Sequence, residues 1–391
     1  MRYAAFPLLL LAICSCGRTN ETTTKTIIVD VEKDFPQKEI YLQDIADIEY
    51  IPIATSDSAL VNSTPSTVSN EGIVTRGGKV GEILIFDAKG QHLQGRICRR
   101  GQGPEEYNAI IFKIVDWKRK EVFIADYTSL KVYDFSGNYL RTLLKENIMD
   151  MDIHNLDDNY LLCSKDRQGA KEPYRPYFTL SKNDGKADTL SIEVPYFIAS
   201  NRKILWDDGH TSDAYGLLPL LYSCKDKIWL TSFALDTVFQ LHPNLKKEPV
   251  MIPLHAPTKD KEAPLLHFLG MNDLYAWISR IPRNVKVRMS DMSAGMQEKS
   301  KVYMYDKSNR EWFEPVYHNR AINNRDMDLK YINLSPVSYG YGLITLNAMD
   351  LVEAYQNGEI TDDKLKKIAS TLKEEDNPVL MLLKFKTRDK K

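Results

Sequence analysis

Cysteine is scarce in this chain, at 5 of 391 residues, and two of the five, Cys14 and Cys16, stand together at the end of an N-terminal apolar segment. The other three, Cys98, Cys163 and Cys224, form no C-x-x-C pair and are odd in number, which excludes a disulfide framework or a zinc-ribbon pattern. Each lies in or beside an apolar, strand-like stretch (GRIC, YLLCS, LLYSC) and is expected to be a buried structural thiol. An excess of one charge is missing too. With 52 Lys+Arg against 53 Asp+Glu the net charge is −1, so no nucleic-acid partner is expected. After the N-terminus no apolar run approaches the roughly 20 residues of a spanning helix. The most apolar mid-chain stretch, 265–281, is broken by His267, Asn272, Asp273 and Arg280.

The common catalytic signatures are also lacking. The 7 histidines are scattered without H-x-x-x-H or H-E-x-x-H spacing, so no zinc or iron site is expected. There is no G-x-S-x-G elbow. Gly101-Gln102-Gly103 lacks the third glycine and helix of a dinucleotide site and the Lys-Ser/Thr of a P-loop, and Pro104 removes an N–H that a phosphate cradle would use. Ser181-Lys182-Asn183-Asp184-Gly185 is similar to the Asp-box turn of sialidases but is out of register and lacks the Trp, so it reads as a plain turn.

What is present begins with MRYAAFPLLLLAICSC. Arg2 flanks a short apolar run, Phe6 to Ile13, which reads as a signal peptide over residues 1–15. The small Ser15 directly before Cys16 resembles a bacterial lipobox, whereas bulky Ile13 disfavours Cys14. Cys16 is therefore expected to carry lipid, with residues 16–26 as a flexible tether and 27–391 as one domain. The membrane is then a partner through that lipid, and the outer membrane is the expected place. The tether holds Arg18 and Glu21 but no acidic run, which favours the periplasmic face over the cell surface.

The domain carries a repeat. ILIFDAKGQHLQGRI (83–97) and LKVYDFSGNYLRTL (130–143) each read as strand, Asp-x-x-Gly turn and strand, with Asp87 and Asp134 47 residues apart, near the roughly 40–45 of one propeller blade. Weaker echoes follow at 177–192, 236–252 and 301–316, and most are preceded by a further strand pair. Four short strands per unit predict an all-β propeller. KTIIVDV (25–31) and DIEYIPI (47–53) are expected to complete the last blade beside the C-terminal strand VLMLLKFK (379–386). A short helical insertion is expected at Met349 to Gln356 and Asp362 to Leu372, capped by Thr361-Asp362.

These residues match a known pattern. QKEIYLQDIADIEYIPIATSDSALV (37–61), ILIFDAKG (83–90), GQGPEEY (101–107) and IADYTSLKVYDFSG (124–137) resemble the six-bladed β-propeller lipoproteins of gut-dwelling Gram-negative anaerobes. The most specific piece is Arg99-Arg100-Gly101-Gln102-Gly103-Pro104-Glu105-Glu106-Tyr107, similar to the Gly-x-Gly-Pro-x-Glu-Tyr loop that follows the first blade in that family; Glu105 departs from it. The resemblance implies six blades and an envelope location, and it carries over no catalytic residue. Six blades over this length leave about 63 residues each, so insertions are expected around 196–216, 255–300 and 349–377.

The segment YFIASNRKILWDDGHTSDAYG (196–216) is too polar and long for a blade turn and is read as a long loop. Arg202, Trp206, Asp207, Asp208, His210 and Tyr215 suit a glycan or peptide, with Trp stacking and the acids accepting hydrogen bonds. Trp277 and Arg280, with Arg283, form a second candidate set. Gly101, Gly103, Pro104 and Tyr107 are expected to be structural. The favoured function is a monomeric, non-enzymatic binding or scaffolding protein of the envelope, serving a glycan, a peptide or an envelope protein. The alternative is a hydrolase or lyase acting on a glycan or lactone in the channel, with Asp207, Asp208 and His210 as its acid/base set. No catalytic residue, metal or cofactor is assigned; some gluconolactonase-like propellers hold calcium in the channel, and nothing in this sequence names its ligands.

Overall fold

A computed structural model describes residues 26–62, 67–165, 173–194, 201–215, 221–224, 227–231, 236–242, 244–255, 263–287, 300–322, 333–338 and 341–387. Cys14, Cys16, the signal segment and most of the tether lie outside the described residues, as do 196–200 and 216 of the polar segment.

Half-buried alternating runs separated by Asp/Gly turns can only satisfy their backbone groups by pairing with their neighbours, and they do so in chain order. The first sheet is Thr67–Val68, Ile73–Arg76, Ile83–Phe86 and Leu93–Ile97, laid side by side and antiparallel. The second repeats this with Phe112–Asp116, Glu121–Ala125, Leu130–Asp134 and Tyr139–Leu144. The third uses Met151–Asn155, Tyr160–Lys165, Tyr177–Ser181 and Ala187–Thr189. The fourth holds Leu221–Cys224, Lys227–Leu230, Val238–Leu241 and Lys247–Pro253, and the fifth holds Leu265–Met271, Tyr275–Ile281, Lys301–Asp306 and Glu311–His318. The sixth combines Asn333–Ser338, Tyr341–Leu346 and Val379–Phe385 with Ala46–Pro52.

The expected N-terminal completion is half right. Ala46–Pro52 pairs antiparallel with Val379–Phe385, as the sequence suggests. Ile27–Val29 instead runs parallel to Lys247–Pro253 as a fifth strand of the fourth sheet. Gln37–Tyr41 likewise runs parallel to Glu311–His318 in the fifth. Alternation makes every one of these segments a strand but leaves its partner unspecified, because pairing is decided by contacts over 200 residues away.

The cores lie between consecutive sheets. Val74, Ile83 and Ile85 of the first meet Val122, Ile124 and Tyr133 of the second; Phe123 and Val132 of the second meet Ile153 and Leu161 of the third. Leu162 and Tyr177 of the third face Leu221 and Leu230 of the fourth, and Trp229 and Met251 of the fourth face Phe268 and Ile278 of the fifth. Met304 and Phe313 of the fifth pack on Val379 and Met381 of the sixth. Ile51 and Leu380 of the sixth then pack on Ile73 and Phe86 of the first. Each fully buried aliphatic or aromatic side chain here contributes about 1.5–3 kcal/mol.

The Asp-x-x-Gly turns explain how the sheets approach one another. The Asp87 and Asp134 carboxylates accept the backbone N–H of Gln91 and Asn138, both at 2.8 Å, and Gly90 and Gly137 take φ of +69° and +85°. Each such turn touches the last strand of the preceding sheet. Ala54 N donates to Gly90 O (2.8 Å) and Arg96 N donates to Phe135 O (2.9 Å). In the third sheet Arg141 Nε donates to Lys182 O (2.7 Å). A Cβ on Gly137 would lie 2.8 Å from Arg96 O, and on Gly185 2.2 Å from Leu143 O, so the turn glycine also permits the contact between sheets.

The helical insertion sits between Tyr341–Leu346 and Val379–Phe385 as Ala348–Gln356 and Asp363–Ala369. Asp362 caps the second helix, its side chain accepting Leu365 N at 2.9 Å. Leu351, Ala354, Leu365 and Ala369 join the core between the fifth and sixth sheets. Of the three thiols, Cys163 is buried, whereas Cys98 is exposed, contrary to expectation. Cys98 directly follows buried Ile97, and the strand alternation turns it outward. The Cys224 side chain lies outside the described residues.

Candidate functional site

The polar segment is a hairpin rather than a loop. Asn201–Trp206 and Thr211–Tyr215 pair antiparallel, and Asn284–Val287, from between the second and third strands of the fifth sheet, pairs parallel with Asn201–Trp206. Two expected insertions, 196–216 and 255–300, thus meet in one three-stranded sheet outside the repeat. Ile204 and Val285 are buried in it, with half-buried Trp206 against them.

The hairpin turns through Asp207-Asp208-Gly209-His210, with Gly209 at φ +86° and hydrogen bonds from Trp206 N to His210 O and from Gly209 N to Trp206 O, both 3.0 Å. The His210 ring stacks on the Trp206 indole at 5.5 Å and 15°. Trp206 Nε1 donates to Ser212 Oγ at 2.7 Å. Asp208 Oδ1 accepts both the His210 backbone N–H (3.0 Å) and His210 Nδ1 (2.5 Å), and these bonds hold its carboxyl below the usual range. Asp207 is exposed beside them. The tip therefore presents one engaged and one open carboxylate next to a stacked aromatic pair.

The remaining expected residues do not join it. Arg202 and Tyr215 pair with Ala214 and Asn201 at the hairpin base, with Arg202 four residues or roughly 13 Å of strand from Trp206; their side chains lie outside the described residues. Trp277 is a core residue, 3% exposed, with its indole N–H given to Tyr317 Oη at 3.1 Å. Arg280 binds Asp34 (2.6 Å) and Lys33 O (3.2 Å), and Lys301 and Tyr303 Oη both reach the same Asp34 oxygen at 3.0 Å. This cluster holds Asp34 far below the carboxylate range and clasps the N-terminal segment onto the fifth sheet. Arg283 is buried on Ala263 O at 2.9 Å.

The loop at 99–107 is a joint between the first and second sheets. Tyr107 N donates to Arg99 O and Gly101 N to Tyr107 O, both at 3.1 Å. Glu106 Oε2 accepts Gly103 N at 2.9 Å, and Tyr133 Oη donates to Glu105 O at 2.8 Å, across Pro104. Tyr107 is fully buried, its hydroxyl donating to Gly81 O (2.5 Å) and accepting Arg99 N (3.1 Å), and burial pushes that hydroxyl up to about 12. Sequence reasoning passed over Arg76, Lys79 and Arg100, which line a cleft against this joint; the Arg99-Arg100 pair at the loop start was the available signal.

Two histidines bridge first strands of neighbouring sheets. His154 Nδ1 lies 2.7 Å from Ser223 Oγ, and His267 Nε2 lies 2.7 Å from Tyr222 Oη. Burial lowers both rings to about 4, so they are neutral at neutral pH. Among the described residues no group of three or more His, Cys, Asp or Glu side chains could hold a metal ion, and no described helix is long and apolar enough to cross a membrane.

The sheets and the appended hairpin define an all-β protein of serially packed, mostly four-stranded units. The chain belongs to the family described as a domain of unknown function, DUF4934, whose profile matches residues 26–384. An exported protein of Bacteroides fragilis shares the fold, with a TM-score of 0.56 at 14% identity over 92% of this chain and 100% of that one. The extracellular domain of a two-component system of B. thetaiotaomicron is similar at a TM-score of 0.33 and 11% identity, over 69% of this chain and 29% of that one. A virginiamycin B lyase of Staphylococcus aureus has a TM-score of 0.33 and 10% identity, over 69% and 88%. No curated protein matches the sequence.

Proposed function

We propose that the chain is a closed six-bladed β-propeller, tethered to the cell envelope by lipid on Cys16, that works as a binding protein and presents the 201–215 hairpin to a glycan. The packing of the sixth sheet against the first supports the closed ring, and the exported Bacteroides relative is in keeping with the location. The observation that carries the binding reading is the three-stranded sheet built from two separate insertions, which adds nothing to the repeat and ends in Trp206, Asp207, Asp208 and His210. Aromatic surface covers the apolar face of a sugar while carboxylates accept its hydroxyls.

Binding is preferred over hydrolysis because the tip is open. A Cβ at Gly209 would meet nothing within 4 Å, and His210 and Asp208 are half exposed, so water is not excluded from any acid/base pair there. Glycan-array and titration measurements test the reading. Trp206→Ala and Asp207→Ala are expected to weaken glycan binding about tenfold or more with the fold retained. Unchanged binding in both would remove the hairpin as the site, and selective binding of peptides would reassign the ligand. Cys16→Ala is expected to move the protein out of the membrane fraction; unchanged fractionation would contradict the tether.

A further inference from the structure

The joint at 99–107 walls a cleft of about 340 Å³ whose lining includes Arg76, Lys79, Val80, Arg100, Asn62 and Asn108. It lies between the first and second sheets and shares no residue with the hairpin. Both guanidinium groups are held by backbone carbonyls: Arg76 Nη2 donates to Ile110 O at 3.2 Å and Arg100 Nε to Asn108 O at 3.1 Å. Each is thereby oriented while keeping further N–H donors and its whole charge. Glu82, the one acid lining the cleft, is already engaged, with Arg96 Nη1 at 2.8 Å and Lys79 N at 3.2 Å on its two oxygens.

Three cations therefore surround a volume without a free carboxylate to answer them. Lys113, on the first strand of the second sheet, adds to the crowding: burial and the nearby Arg76 lower its ammonium to about 8. Cations held close together without a counter-ion cost free energy that a bound anion restores, and separate guanidinium and ammonium donors match the several oxygens of a dianion better than a monovalent carboxylate. The volume suits a group of about the size of one substituted sugar ring, and Val80, Ala109 and Ile110 provide apolar wall.

We infer that this cleft is a binding site for a tetrahedral oxyanion ester, a phosphate or sulfate carried on a small molecule or glycan end, with Arg76 and Arg100 on its oxygens and Lys79 as the third charge. The site stands independently of the hairpin.

Calorimetric titration of the full chain at low salt, with inorganic phosphate, inorganic sulfate, glucose 6-phosphate, glucose 6-sulfate and glucose, tests it. At least one ester is expected to bind and glucose to remain silent; the tighter of the two esters identifies the group. Lys79→Gln, which breaks no side-chain hydrogen bond among the described residues, is expected to weaken binding about tenfold. Arg76→Gln combined with Arg100→Gln is expected to abolish it, and Trp206→Ala to leave it unchanged. Failure of both esters to bind at millimolar concentration overturns the site, as does binding that survives both Lys79→Gln and Arg100→Gln, or binding of the inorganic ions alone.

Discussion

Two Asp-Gly turns of nearly the same sequence behave oppositely in this protein. Asn183-Asp184-Gly185 and Asp207-Asp208-Gly209 both end in a glycine at positive φ, +72° and +86°. In both, an Asp side chain accepts the backbone N–H two residues on, Lys186 and His210. The first is pressed onto the neighbouring sheet, where an added Cβ would lie 2.2 Å from Leu143 O; around the second there is open space. Local turn chemistry closes both hairpins, but only position in the repeat decides whether a turn is a joint between sheets or a free tip. The joints carry stability, and the tip is left for recognition.

Acid separates the two regions most strongly. His154 and His267 lie between sheets with folded values near 4, against 6.5 for the free ring. The unfolded chain therefore takes up protons first, and stability present above pH 6.5 is lost as pH falls towards 4, by up to about 3 kcal/mol for each ring. Melting temperature across that window is expected to fall steeply in the native chain and to flatten in a His154→Gln, His267→Gln variant. A slope unchanged by the double variant would show that other groups govern the acid response.

Gly185→Ala is expected to cost about 3 kcal/mol, combining positive-φ strain with displacement of the second sheet. Gly209→Ala carries only the strain, about 1 kcal/mol. Denaturant unfolding of the pair measures the difference directly, and equal losses would break the distinction between joint and tip. Tyr107→Phe, which leaves Gly81 O and Arg99 N without the buried hydroxyl, falls between them at about 1–2 kcal/mol.

The repeat was legible because its joints need glycine and Asp at fixed places, so Asp87, Gly90, Asp134 and Gly137 mark the units in the sequence. The partner of Ile27–Val29 was not, since a short apolar strand fits the edge of several sheets equally well. The hairpin looked like a loop because TSDAY and NRKILW lack a clean alternation, and its third strand, Asn284–Val287, is supplied from about 80 residues later. Trp277 looked like a ligand-stacking residue on composition alone; burial is set by the surrounding sheet, which a single residue type does not report. The Arg76, Lys79 and Arg100 cluster escaped for the same reason: one of the three comes from 24 residues further along the chain.

The first described stretch of chain serves the last three sheets: Ile27–Val29 the fourth, Gln37–Tyr41 the fifth and Ala46–Pro52 the sixth. Segments made first at synthesis thus wait for partners made last, and Val379–Phe385 is within a dozen residues of the final Lys391. Ordering these contacts means closing loops of more than 200 residues, so they lag behind the local hairpins of the first three sheets. Until the chain is complete, its leading end stays loose and accessible to whatever handles it, and the finished molecule is locked by the same segment that emerged ahead of all the rest.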